Sequence, residues 1–283
     1  MENNFCIFII SNGRPDNVIT YKTLKNSGCK LPLYIVIDNT DDSKNKYVSN
    51  FGESTIIIFD KLYYSKLIDN FDNFGNLRST THARNACFDI AEQLGYQYFL
   101  VLDDDYTKID FRINSKLDMP TNFFKCKKNI DTIFLLTLDF FKNTKCTSIC
   151  FSQGGDWFGG KQFFNKKPKR KAMNSFFCDT KRRFWFISRL NEDVNTYMTL
   201  GNIGNVFLSI PFISITQNPT QLSTGGMSAA YLEGGTYIKS FYTVMCRPDC
   251  THISIMGLAN VRLHHSIKWE YAVPYIISEK YKK

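Results

Sequence analysis

YFLVLDDDY, residues 98–106, runs from five apolar or aromatic residues straight into Asp103-Asp104-Asp105. An unbroken apolar run of this length, closed by turn-forming acids, is the pattern of a strand buried on both faces. Such strands belong to parallel sheets covered by helices on either side. Ligands of these sheets bind beyond the carboxyl ends of the strands, so the acids mark a candidate site as well as a strand end. Period-two alternation would send Asp103 and Asp105 to one side and Asp104 to the other. Two same-side carboxylates repel unless a cation joins them. Mg2+ or Mn2+ with open positions would satisfy both and could then clamp a diphosphate. The competing reading is a solvated acidic turn after a buried strand.

The residues before this stretch repeat its grammar. Phe5–Ser11 (FCIFIIS) ends in Asn12-Gly13-Arg14-Pro15, a strand followed by a turn. From Asn17 to Ser27, Val18, Tyr21 and Leu24 recur by threes as on a helix, and Gly28 stops it. Leu33–Ile37 (LYIVI) is a second strand running into Asp38-Asn39-Thr40-Asp41-Asp42, and Thr55–Phe59 (TIIIF) is a third. His82 to Leu94 is a helix with Gly95 as its stop. Strands alternating with helices predict an α/β fold, a mostly parallel central sheet flanked by helices.

From about Gly154 to Asn191 the rhythm breaks into a glycine-containing, basic, Phe-rich insertion. Leu208–Thr216 (LSIPFISIT) returns to a strand, in which Pro211 implies an edge or a bulge. A small-residue loop at Ser223–Ala230 and a basic tail at Lys280–Lys283 follow. With no internal repeat or low-complexity linker, one domain over 1–283 is expected, its halves meeting near residue 110.

Composition narrows the class. Apolar residues make up 43% of the chain, which suits a packed core and excludes a disordered one. Lys and Arg number 35 against 26 Asp and Glu, a formal +9 that favours an anionic partner such as nucleic acid, a membrane surface or a charged substrate. The nine cysteines are scattered. Cys146/Cys150 and Cys246/Cys250 could each share a helical face, but the spacing is not that of a zinc knuckle, so reduced buried thiols in a cytosol are expected. Phe5–Ile10 is too short for a membrane span and lacks the basic flank of a signal peptide. A cytoplasmic protein without membrane attachment is the resulting expectation.

The second half holds three further features. Asn191-Glu192-Asp193 precedes Val194, Tyr197 and Leu200 at helical spacing. An Asn cap and first-turn acids suit a helix N-terminus without any function. His264-His265 sits in VRLHHS, where alternation points one imidazole inward, and core or surface packing accounts for it equally well. Lys161–Arg183 carries Lys161, Lys166, Lys167, Lys169, Arg170, Lys171, Lys181, Arg182 and Arg183, with Phe163, Phe164, Phe176, Phe177, Phe184 and Trp185 interleaved. Cations for phosphates and aromatics for bases compose a nucleic-acid groove. A solvated basic loop over core aromatics reads the same way.

The order of an apolar first strand with a polar loop, IVIDNTDD, HARNACFDIA and YFLVLDDDY with its D-x-D resembles the nucleotide-sugar half of GT-A-fold glycosyltransferases. That resemblance implies a UDP-sugar donor and Mn2+ or Mg2+, with Asp105 on the metal and Asp103 on the metal or the ribose. It implies Asp38 at the uracil or ribose, Arg14, Arg84 and Asp104 near the nucleotide, and His264 as a late metal ligand. It also implies Asp193 as general base, with Glu192 as the second choice. STGGMSAAY, YIKSFYTVMCRPD and LHHSIKWEYAVPYIIS are similar to segments of the TET-associated and other phage DNA-base glycosyltransferases. The acceptor implied is the hydroxyl of a hydroxymethylated pyrimidine in duplex DNA, flipped out or reached through the major groove, in a host cytoplasm. The alternatives are a glycan or protein acceptor, and a non-catalytic DNA-binding protein on the same scaffold.

Overall fold

The computed structural model describes residues 4–111, 124–125, 130–153, 173–217, 235, 237–256, 261–272 and 279. Lys161–Lys171, Ser223–Ala230 and Lys280–Lys283, singled out above, lie outside them.

Strand β1 (Phe5–Ile10) is entirely buried. Its alternate residues serve two cores, Phe5, Ile7 and Ile9 on one face of the sheet and Cys6, Phe8 and Ile10 on the other. That double burial is why the strand reads as continuous apolar sequence. Parallel to it lie β2 (Leu33–Asp38) and β4 (Tyr98–Asp103), and β3 (Ile56–Phe59) extends the sheet beyond β2. Helices α1 (Ile19–Asn26), α2 (Lys44–Phe51), α3 (Lys61–Ser65) and α4 (Thr81–Gln93) connect these strands.

The second half departs from the expected parallel run. β5 (Tyr106–Phe111), β6 (Phe124–Lys125), β7 (Ser148–Gln153), β8 (Ser175–Asp179) and β9 (Phe207–Gln217) complete a nine-stranded sheet in the order β3-β2-β1-β4-β8-β7-β9-β5-β6. β8 is antiparallel to β4 and β7, and β5 is antiparallel to β9 and β6, so the sheet is mixed. No hydrophobic pattern announces strand direction, because a buried strand is apolar in either sense. Pro211 marks a bulge rather than an edge. β9 pairs on both sides, and its register against β7 jumps between Phe151↔Ile210 and Ser152↔Ser214. The Ser152 hydroxyl donates to the Ile213 carbonyl at 2.8 Å, satisfying a group the ladder leaves out.

Helix α5 (Ile130–Asn143) covers the first core through Phe134 and Phe141. α4 and α6 (Glu192–Asn202) cover the second. α7 (Ile238–Cys246), the hairpin β10 (Thr251–Met256) and β11 (Arg262–Ile267), and α8 (Trp269–Ala272) follow. No described helix is long and apolar enough to cross a membrane. Every described cysteine is a free thiol, and Cys146 and Cys150 lie before and within a strand instead of on one helical face.

The sheet order places the acidic triplet. From β1 the chain moves to β2 on one side, whereas β4 lies on the other, so the carboxyl ends of β1 and β4 flank the point where connections diverge. Open α/β sheets carry their ligand crevice there. Thr20 of α1 holds the turn after β4. Its hydroxyl donates to the Asp103 carbonyl at 2.6 Å and accepts from the Tyr106 amide at 2.9 Å, and its own amide donates to the Asp104 carbonyl at 3.0 Å. Removing a hydroxyl that serves two buried backbone groups costs about 1–3 kcal/mol. Thr20→Val is therefore expected to lower unfolding stability in urea by that amount, and Thr20→Ser to retain most of it.

Candidate active site

The three aspartates part company as soon as β4 ends. Asp103 turns towards α4 and accepts from Arg84 Nη2 at 2.8 Å. Asp104 turns towards the β1 loop, where Ser11 Oγ donates to Oδ2 at 2.6 Å and Arg14 Nη1 to Oδ1 at 3.0 Å. Tyr47 of α2 closes this second network, its hydroxyl 2.8 Å from Ser11 Oγ and accepting the Arg14 amide at 2.9 Å. Among the described residues Asp105 has no such cation partner, and its buried Oδ1 has no hydrogen bond.

Burial pushes all three carboxyls above the ordinary aspartate range, against the pull of Arg84 on Asp103 and of Arg14 on Asp104. Asp105 rises to about 7, through burial first and then the charges of Asp103 and Asp104. The arrangement compensates two of three acids and leaves the third in need of a positive charge.

Arg84 is the largest fully buried side chain among the described residues, with 1% of its surface exposed. Its Nη1 also stands 2.9 Å from Glu192 Oε1 at the start of α6. The guanidinium carbon lies 5.1 Å from the Phe176 ring centre and 5.6 Å from that of Phe186. Burial works against its charge, and Asp103, Glu192 and Asp193 more than restore it, raising its pKa. Arg84 thus sits beneath the rim, joining the strand that ends in the triplet to the helix that begins with Glu192-Asp193.

Asn191 caps that helix in position but not by its side chain. Its φ of 57° places it in the left-handed region, and its Nδ2 donates to Thr243 Oγ1 of α7 at 2.6 Å. Glu192 accepts from Thr80 Oγ1 at 2.5 Å as well as facing Arg84. Asp193 takes only the Val194 amide, at 2.8 Å, among the hydrogen bonds formed by described residues. Burial, then the neighbouring Glu192, lifts Asp193 to about 7.

A second cluster lies at the carboxyl end of β2. Asp38 accepts from Asn12 at 2.6 Å, from Lys61 at 2.9 Å and from the Thr40 amide at 2.9 Å. Against burial, Thr40 and Lys61 bring its pKa below the usual value. Asp41 takes the amide of Gly13, whose φ of 66° suits glycine, at 2.7 Å. An open recess of about 420 Å³ adjoins, lined by Thr40, Lys61 and Gly75 to Arg78. The loop that forms its far wall is tied down at Asp72, which accepts from Arg189 Nε at 2.6 Å and from the Tyr242 hydroxyl. His82, fully buried nearby, is driven down to about 4 by burial and then by Lys61, so it is neutral.

His264 and His265 stack at 4.2 Å on β11, and His264 Nδ1 lies 2.8 Å from the His265 carbonyl. Among the described residues no three His, Cys, Asp or Glu side chains are gathered in metal-holding geometry. The described part of the basic, aromatic stretch is largely structural. Arg182 binds Asp179 and the Cys146 carbonyl, and Arg183 pairs with Asp89. Phe176, Phe177 and Phe184 are core residues. Ser11, Thr20, Tyr47, Lys61 and Thr80 were not legible as site residues. Only Ser11 carried a signal, as the polar residue closing an apolar strand.

Breaking a buried pair by removing one partner costs about 3–5 kcal/mol. Arg84→Met, which strands Asp103 and Glu192, is expected to lose that much stability in urea melts, and Arg84→Met/Glu192→Gln to recover part of it. Acids whose folded pKa is raised stabilise fully below their unfolded value near 4 and lose that contribution as pH rises through about 7. Neutral His82 works the other way, but only below its unfolded value of about 6.5. Between pH 6.5 and 8 the metal-free protein should therefore melt at progressively lower temperature. Asp105→Asn should flatten that fall in a thermal-melt series.

The family model described as TET-Associated Glycosyltransferase matches residues 5–226. None of the curated proteins matches significantly. Among solved structures, glucosyl-3-phosphoglycerate synthase from Mycobacterium tuberculosis, crystallised with Mn2+, UDP and phosphoglyceric acid, is 7% identical at a TM-score of 0.45, over 96% of this chain and 88% of that one. Mannosyl-3-phosphoglycerate synthase from Rubrobacter xylanophilus is 10% identical at a TM-score of 0.45, over 93% and 86%. The family match spans more than three quarters of the chain and includes the triplet, Arg84 and the Glu192-Asp193 pair. This protein belongs to the TET-associated glycosyltransferase family and is a glycosyltransferase.

Proposed function

We propose that the protein transfers a sugar from a UDP-sugar, held with Mn2+ or Mg2+, to the hydroxyl of a hydroxymethylated pyrimidine in DNA. The supporting observation is Asp105. It is a half-buried carboxylate whose buried Oδ1 has no hydrogen-bond partner among the described residues, raised to about 7 beside two acids whose cations are already engaged. A hard divalent cation is the charge such a donor set fits. Asp105 and Asp103 would hold it, and it would supply charge neutralisation for the departing diphosphate.

The chain's own residues then divide the work. Asp38, oriented by Asn12, Thr40 and Lys61, would meet the uridine at the adjoining recess. Arg14 holds Asp104 and, with Ser11 and Tyr47, shapes the loop over the donor. Arg84 fixes the spacing between donor and acceptor sides from below. Asp193 is the better base than Glu192. Glu192 is occupied by Thr80 and Arg84, whereas Asp193 keeps a carboxylate oxygen for an acceptor proton. As the acceptor oxygen bonds to the anomeric carbon, its proton passes to Asp193 and the bond from that carbon to the diphosphate breaks, the diphosphate leaving with the electron pair. Residues 1–110 would serve the donor and 111–283 the acceptor within one catalytic unit.

The family and the basic balance of +9 favour a nucleic-acid acceptor over a glycan or protein. UDP with Mn2+ should raise the melting temperature, since a ligand at 100 times its Kd adds about 2.7 kcal/mol. Asp105→Ala should cut UDP-sugar hydrolysis by about 10²–10³-fold or more, with duplex DNA binding unchanged. Unimpaired turnover would remove Asp105 from the metal site. Mass spectrometry of nucleosides from hydroxymethylated DNA, incubated with a panel of UDP-sugars, should show a hexosyl or pentosyl adduct. Hydrolysis without any adduct, and no retention on DNA at low salt, would move the acceptor to a glycan or protein.

A further inference from the structure

The carboxylate of Asp38 has no acceptor site to spare. Its Oδ1 takes the Thr40 amide at 2.9 Å and the Thr40 hydroxyl at 2.5 Å. Its Oδ2 takes Asn12 Nδ2 at 2.6 Å and Lys61 Nζ at 2.9 Å. An ionised carboxylate offers about four lone-pair sites, and these donors fill them. Asp38 is 3% exposed and does not line the neighbouring recess, whereas Lys61 does. What the recess presents to an occupant is the ammonium that Asp38 holds. Lys61 is fixed at its backbone as well, where its amide donates to Asn39 Oδ1 at 3.2 Å and the preceding Asp60 caps α3 by accepting from the Tyr63 amide at 3.0 Å. Among the described residues Asp38 is the one hydrogen-bond partner of Nζ, so the other N–H groups of the ammonium are open to the recess.

We infer that Lys61 is the specificity-determining contact for the nucleotide's base, donating to the carbonyl at position 4 of a uracil ring, with Asp38 as the positioning residue that aims it. This rests on the reading of the recess as the uridine site, and Asp38 then meets the nucleotide through Lys61. The place suits a base. β2 and β4 flank β1, so the strand end beside the recess is two strand spacings, roughly 10 Å, from the one that carries the triplet. That leaves room for a nucleoside beside a diphosphate held at Asp105. The charge suits a base too, because a lysine already paired with a buried carboxylate has little net charge to offer a phosphate. An ammonium donates and never accepts. At position 4 uracil has an acceptor and cytosine an amino donor. A donor facing a donor leaves both unpaired, the mismatch that rejects an analogue most strongly.

Calorimetric titration with UDP and with CDP, each with Mn2+, is the deciding experiment. Wild type should bind UDP about 10²-fold tighter than CDP. Lys61→Met should weaken UDP by about 10–10²-fold and leave CDP within about threefold of its wild-type affinity, a split that general damage to the site would not produce. Asp38→Asn/Lys61→Met strands no charge, guards against a single variant that fails to fold, and should lose the preference in the same way. Unchanged UDP affinity in these variants overturns the proposal. So does a parallel loss of UDP and CDP, which a phosphate contact would give. A wild type that binds both nucleotides equally well overturns the role of Lys61 and leaves the donor reading standing. A wild type that binds neither overturns that reading and the proposal with it.

Discussion

A guanidinium taken wholly out of water has to be met by carboxylates, and in this protein Arg84 is met by two that lie 89 residues apart in the chain. Asp103 closes β4 and Glu192 opens α6, and each lies within 3 Å of a different nitrogen of the same group. Coulomb attraction in so dry a place is strong, but desolvation consumes most of it, so the pair's value lies in specificity more than in stability. Phe176 and Phe186 hold the plane of the group from β8 and from the segment leading to α6. The position of the acidic triplet relative to Glu192-Asp193 follows from that one buried cation.

The distribution of charge around it is uneven in a useful way. Among the triplet and the Glu192-Asp193 pair, Asp103 and Glu192 share Arg84, Asp104 has Arg14, and Asp105 and Asp193 are the two driven to about 7. The residues with satisfied charges are the ones that hold the scaffold. The residues left wanting a proton or a cation are the ones that chemistry can employ, which is the usual link between perturbed acids and function.

Much of the donor half was legible in the sequence because its strands are buried on both faces. FCIFII, LYIVI and YFLVL have no polar interruption, so strand limits, and with them the acids at the strand ends, came within a residue or two of Phe5–Ile10, Leu33–Asp38 and Tyr98–Asp103. The second half was less legible for physical reasons. An antiparallel strand inside a covered sheet is as apolar as a parallel one, and β5 begins with a short mixed sequence, YTKIDF, that carries little pattern. Arg84 could not be assigned its place, because an arginine in the first turn of a helix looks exposed unless its partners, one 19 residues and one 108 residues away, are known to converge on it. Cations in the basic stretch were similarly ambiguous. Arg182 and Arg183 prove to be bound to carboxylates and carbonyls of the core.

The clamp at Asp72 gives the recess beside Asp38 and the start of α6 a common anchor. Arg189, three residues before Glu192, and Tyr242 of α7 both grip the loop that walls the recess, and Ser188 and Arg189 add backbone bonds to Asp69 and Asn70. A molecule that draws this loop inwards therefore pulls on the first turn of α6 at the same time. Thermodynamic reciprocity requires that any coupling carried by this anchor act equally in both directions, from the recess to α6 and from α6 to the recess.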